Sequence, residues 1–150
     1  MTRLRRPHHQ RGFYAVEYAF VFLFLFGLIY GLVCYGILFT FKLGLQAAAE
    51  DAARAALRHQ VGIPARQAQA ELVAQQRTAG WWPPAAAPLT ISSQLEQADA
   101  SCGRGWLDRC SLTVTIQASQ LQQVLPPIPG FALPDRLTGQ ASVLLDGRTL

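Results

Sequence analysis

The sequence predicts an α+β protein: a long N-terminal transmembrane helix continuing into an exported helix, a second short helix, and a small antiparallel sheet of about three strands. Three observations lead there. Residues 18–41 contain no Asp, Glu, Lys, Arg, His, Asn, Gln or Pro. The stretch that follows, "LGLQAAAEDAARAALRHQ", is rich in alanine, leucine and charged residues, which favour helix outside lipid as well. Beyond "GWWPPAAAP" the apolar period changes from helical to alternating.

The 24 residues from 18 to 41 make about 36 Å of helix at about 1.5 Å per residue, enough to cross a bilayer. At 150 residues the chain has room for one modest folded domain beside that span. Its organisation is therefore expected to be a basic cytoplasmic leader at 1–12, a transmembrane helix at 13–42, an exported helical stalk and second helix at 43–80, and a small β-rich exported region at 81–150. Charge agrees with this division. Arg3, Arg5, Arg6 and Arg11 precede the span and account for the formal net charge of +4. With these four set aside, nine basic side chains face nine acidic ones. The high pI therefore indicates no nucleic-acid partner, which would need basic residues clustered on the folded part. It indicates orientation: a short arginine-rich flank stays cytoplasmic, so the C-terminal part is exported.

The first helix is expected to begin near Phe13 and end near Gln60, with Gly62 as its stop and Pro64 as a restart. "PARQAQAELVAQQRTA" is then a second, weakly amphipathic helix ended by Gly80. Trp81 and Trp82 anchor the following turn, in the core rather than at the membrane interface, because they lie far from the span in sequence. Three strand faces follow: Leu89, Ile91, Ser93 and Leu95; Leu112, Val114, Ile116 and Ala118; and Leu137, Gly139, Ala141, Val143 and Leu145. Proline keeps "PPIPGFALP", residues 126–134, out of the sheet.

Cys34, inside the span, reads as a small apolar filler. Cys102 and Cys110 bracket "GRGWLDR". In an oxidising compartment such a pair is expected to form a disulfide, the alternative being two free thiols. A metal site there is disfavoured because residues 60–150 contain no histidine. His8 and His9 lie in the leader and His59 near a helix end. No nucleophile elbow, phosphate-binding glycine loop, His-plus-Glu metal motif or CxxC pair occurs. The acidic residues beyond the first helix are scattered in turn-like contexts. No enzyme and no cofactor is expected. Within the span, Gly27 and Gly31 form a G-x-x-x-G pair, and Gly36, Thr40 and Gly44 continue a second small-residue row. Such rows permit close helix approach, although glycine is also common in spans for no special reason.

Residues 12–18, "GFYAVEY", resemble the processing site of type IV pilin-like proteins. In that class a prepilin peptidase cuts after the glycine, and a glutamate stands fifth in the mature chain. The resemblance implies cleavage between Gly12 and Phe13, with Glu17 fifth and Tyr18 completing the G-x-x-x-x-E-Y pattern of the Flp branch. "RGFYAVEYAFVF" is further similar to the "RG-x-x-AVEFAL-x" opening of TadE-like pseudopilins, and "AAAEDAARAAL" to their "NAAREGARAA" segment. One departure is Cys34 before Tyr35, where many relatives carry an acid. The resemblance implies a minor pseudopilin of a tight-adherence (Tad/Flp) pilus, in the bacterial inner membrane with its C-terminal region periplasmic. Its implied partners are a prepilin peptidase, other pilin-like subunits, Tad inner-membrane assembly proteins and the lipid bilayer. A new amine at Phe13 would neutralise Glu17, in its own chain or a neighbour's; the alternative is a helix-start glutamate favoured by the helix dipole. The competing function is a secreted or membrane-anchored binding or sensor protein, with a small-residue cleavage site after Ala49.

Overall fold

The computed structural model describes residues 11–58, 62–84, 86–97, 110–127 and 129–145. The leader up to residue 10, His59, Gln60 and Cys102 lie outside the described residues. In chain order the elements are α1 (Arg11–Ala55), α2 (Ile63–Ala79), β1 (Thr90–Gln97), β2 (Cys110–Ser119) and β3 (Arg136–Leu145). The predicted α+β class with its three-stranded antiparallel sheet is what forms. The chain divides into two compact units, Met1–Gly36 and Ile37–Leu150.

In the first unit α1 is apolar around its whole circumference, and nearly every side chain is exposed, up to 76 % at Phe24. A helix that is hydrophobic on all sides needs an apolar surrounding. The segment passes the length and hydropathy requirement for crossing a membrane.

The second unit is built around the rest of α1. Alanines 48, 49, 52, 53, 55 and 56 are all buried, as are Ala70 and Ala74 of α2. Small side chains let the two helices and the sheet approach closely. Leu45 of α1 joins Leu112, Val114, Ile116 and Ala118 of β2 and Leu137 and Leu145 of β3 in the same core. These strand residues are those the alternating pattern assigns to one face, because successive side chains in a strand point to opposite sides.

The first helix ends sooner than expected. It stops at Ala55, and Leu57 and Arg58 donate to Arg54 and Ala55 in a tightened last turn at 3.1 Å each. The guanidinium of Arg66, buried in the first turns of α2, donates from Nη1 to the carbonyl of Ala56 at 3.2 Å. Gly62 caps α2 with φ 90°, a conformation that favours glycine, and Pro64 stands in the first turn. The helix ends at Gly80 as expected, but with Gly80 in a right-handed conformation.

The sheet order is β1-β2-β3, with β1 pairing β2 from Thr90↔Gln117 to Gln97↔Cys110 and β2 pairing β3 from Cys110↔Leu145 to Ser119↔Arg136. The proline-rich connection between β2 and β3 stays outside the sheet and carries two 3-10 turns, Leu121–Gln123 and Gly130–Ala132. Trp81 and Trp82 pack against the core with Phe41: Trp81 stacks on it at 6.0 Å and Trp82 meets it edge-on at 5.6 Å.

Candidate assembly site

Gly12 and Phe13 fall at the start of α1, whose described part begins at Arg11, close to the expected start near Phe13. Glu17 and Tyr18 follow about one turn later, both exposed. Among the described residues the Glu17 carboxylate has no ion-pair partner. A carboxylate beside a long apolar segment without a countercharge is costly in lipid.

Sequence reasoning missed a second feature of this segment. Tyr18, Phe22, Phe26 and Tyr30 stack in an unbroken ladder, with ring centroids 6.3, 6.2 and 6.2 Å apart. The signal was present as four aromatics at i, i+4 spacing, which brings side chains together on one helix face. Gly27 and Gly31 lie about 140° around the helix from the middle of the ladder, at about 100° per residue. A Cβ at Gly27, Gly31 or Gly36 would meet no atom within 4 Å. At Gly27 the surface forms a groove of about 590 Å³ between Phe20, Leu23, Phe24 and Leu28.

The second small-residue row has a different fate at its end. Thr40 is exposed, but a Cβ on Gly44 would lie 2.9 Å from Cη2 of Trp81. Gly44 is thus covered by a ring of its own chain, and only Gly36 and Thr40 of that row remain at the surface.

Cys34 is a free thiol with 2 % of its surface exposed. Cys110, at the start of β2, is buried and disulfide-bonded. No group of three or more His, Cys, Asp or Glu side chains suited to a metal ion occurs among the described residues.

These features define a class: a protein with one N-terminal helix suited to a single-pass membrane anchor, whose C-terminal half is the spine of a small α+β unit. Residues 12–54 match the family model described as TadE-like protein. The match bears out the resemblance read from the sequence and runs from the Gly12 junction almost to the end of α1. It leaves α2 and the sheet uncovered. No curated protein and no solved structure matches the chain.

Proposed function

We propose that the protein is a minor pseudopilin or assembly component of a Tad-type (Flp) pilus, processed by a prepilin peptidase after Gly12. The observation that carries this reading is the Gly12–Phe13 junction at the head of a lipid-suited helix, with Glu17 one turn on, inside the segment that matches the TadE-like family model. That match supports involvement in a Tad pilus system in general.

In this reading residues 1–12 stay in the cytoplasm until the peptidase removes them, and α1 then holds the mature chain in the inner membrane. The α+β unit faces the periplasm, where Cys110 pairs with Cys102. The amine freed at Phe13 pairs with a Glu17 carboxylate, and the faces of Gly27, Gly31, Gly36 and Thr40 meet neighbouring pilin-like helices and Tad inner-membrane proteins.

The competing reading, secretion after cleavage at Ala49, has a structural argument against it. Ala49 is fully buried within α1. A cut there would remove Leu45 from the core, together with Lys42 and Gln46, whose side chains hydrogen-bond to β3. N-terminal sequencing of the membrane-extracted protein tests the proposal. A mature chain starting at Phe13 is expected; one starting at Glu50 would overturn it.

A further inference from the structure

The two edges of the sheet are treated differently, and the difference points to a partner. Along β3 the side chain of Gln46 donates to the carbonyl of Gln140 at 2.9 Å and accepts from its N–H at 3.2 Å, and Lys42 donates to the carbonyl of Thr138. Side chains of α1 therefore cap that edge at Thr138 and Gln140. They also show which groups point where. Gln140 turns both backbone groups outward, so Gly139, its neighbour, turns both toward Ile116 of β2. The alternation carries across β2: Thr115 and Thr113 face β1, and Ser92 and Gln94 bond back to them. The groups left on the outer edge of β1 belong to Ile91, Ser93 and Leu95. Among the described residues none of them has a backbone hydrogen-bond partner on that side.

Among the described residues, Glu96 is the one charge that guards this edge. The strand's pairing with β2 runs through eight consecutive residue pairs without a bulge, and "TISSQLEQ" contains neither proline nor lysine. Beside its first residues lies a groove of about 890 Å³ walled by Thr78, Trp82, Pro83 and Pro88 next to Leu89 and Ile91. Trp82 is held in that wall by donating from Nε1 to the carbonyl of Ala87 at 3.1 Å.

We infer that the outer edge of β1 is a docking edge for an extended, basic segment of a different protein, added as a fourth strand with an apolar side chain in the Trp82 groove. Charge selects the occupant. Glu96 is the sole charged residue of β1, and Glu71 of α2 stands against the middle of the strand, accepting a 2.6 Å hydrogen bond from Ser93. The described cations of α2 are committed elsewhere, Arg77 to Asp51 and Arg66 to the end of α1.

A second copy of this chain fits poorly. Lys42 meets Thr138 and Gln46 meets Gln140, so α1 runs in the same direction as β3 and hence as β1. Antiparallel pairing of two β1 strands would point the Ile37 ends of α1 in opposite directions. Both must enter one membrane, a step that rests on the anchor reading above. Parallel pairing in register would set Glu96 beside its own counterpart.

The test uses the full chain in non-ionic detergent micelles and two fluorescent heptapeptides, one alternating lysine with valine and one alternating glutamate with valine, followed by anisotropy. The basic peptide is expected to bind at least tenfold more tightly than the acidic one. Ser93→Pro removes an outward N–H that takes no part in the β1–β2 ladder, and Glu96→Lys reverses an exposed charge. Each should weaken binding of the basic peptide about tenfold, Glu96→Lys against wild type and Ser93→Pro against Ser93→Ala, which also loses the hydroxyl bond to Glu71 but keeps the outward N–H. Equal binding of both peptides would overturn the proposal, as would wild-type affinity in both variants. So would a chain dimer that Ser93→Pro dissociates. Anchoring is read separately by alkaline extraction of membranes, so failed peptide binding counts against the docking edge alone.

Discussion

Gln46 and Gln140 are joined by two hydrogen bonds, so that a helix side chain stands in for the backbone of a missing neighbour strand. The two residues lie 94 positions apart, and the pair ties the spine of the second unit to its last strand. Hydrogen bonds of this kind contribute about 0.5–1.5 kcal/mol each net of water, and less where solvent competes. Gln46→Ala is expected to destabilise the folded chain by about 1 kcal/mol. Denaturant unfolding measures the loss. Amide exchange at Gln140 supplies the specific check, since its N–H loses its acceptor and should exchange faster.

Gly139 is a stricter requirement. A Cβ there would overlap the backbone carbonyl group of Leu45 and come within 2.8 Å of the Gln46 nitrogen. Backbone cannot swing aside as a side chain can. Gly139→Ala should force α1 away from β3 and cost about 1–3 kcal/mol, the usual range for overfilling a packed site. A melting temperature equal to wild type would show that the helix moves freely over the strand.

Gly44→Ala separates intramolecular packing from assembly. The added methyl meets the six-membered ring of Trp81, at 2.9 Å from Cη2 and 3.0 Å from Cζ2. Trp81 should be displaced, and the tryptophan emission should shift to the red. Gly31→Leu adds a side chain whose Cβ meets no atom within 4 Å. It should leave the emission unchanged and reduce crosslinking to neighbouring subunits through the span. Unchanged crosslinking in Gly31→Leu and Thr40→Leu would leave these positions as ordinary small residues of a membrane helix.

For the cysteines, denatured but unreduced protein should take up thiol label at Cys34 alone. Cys110 is already disulfide-bonded, and Cys102 is its proposed partner. For so short a loop the chain-entropy model gives somewhat under about 3 kcal/mol of stabilisation. Labelling at Cys102 would break the proposed pairing.

What the sequence made legible follows from which forces act locally. The span shows because lipid excludes charge over a whole run of residues. The inner faces of β2 and β3 show because a strand repeats every two residues, and Leu112, Val114, Ile116 and Ala118 keep that period. The end of α1 was misplaced by several residues, since an alanine-rich stretch contains no stop and the tightened turn at Leu57 and Arg58 has no composition of its own. Gly139 read as one more residue lining the third strand face, and only the path of α1 reveals it as a close contact. Gln46 is one polar residue among many until β3 is beside it. The Gly12–Glu17 motif is read from order and spacing along the chain; the family match over residues 12–54 covers it, and its processing and charge pairing stand as proposals.

That spacing makes Glu17 the decisive residue. As a mere helix-start glutamate it would tolerate Glu17→Gln almost silently, since glutamine is similar in size and a good helix former. As the partner of the amine released at Phe13, it must carry charge. Removing one member of an ion pair in a low-dielectric setting costs about 3–5 kcal/mol, because the other charge is left uncompensated. In this reading the countercharge is the amine that processing releases at Phe13, from the same chain or a neighbour. Expressed in a strain lacking the native copy, Glu17→Gln should be cleaved normally, since Gly12 and the basic leader are untouched, while surface pili become sparse or absent. Processing is read by mass spectrometry of the membrane fraction and pili by electron microscopy. Normal processing with normal pili would reduce Glu17 to an interfacial residue. Loss of both would instead place Glu17 in recognition by the peptidase, upstream of any pairing between subunits.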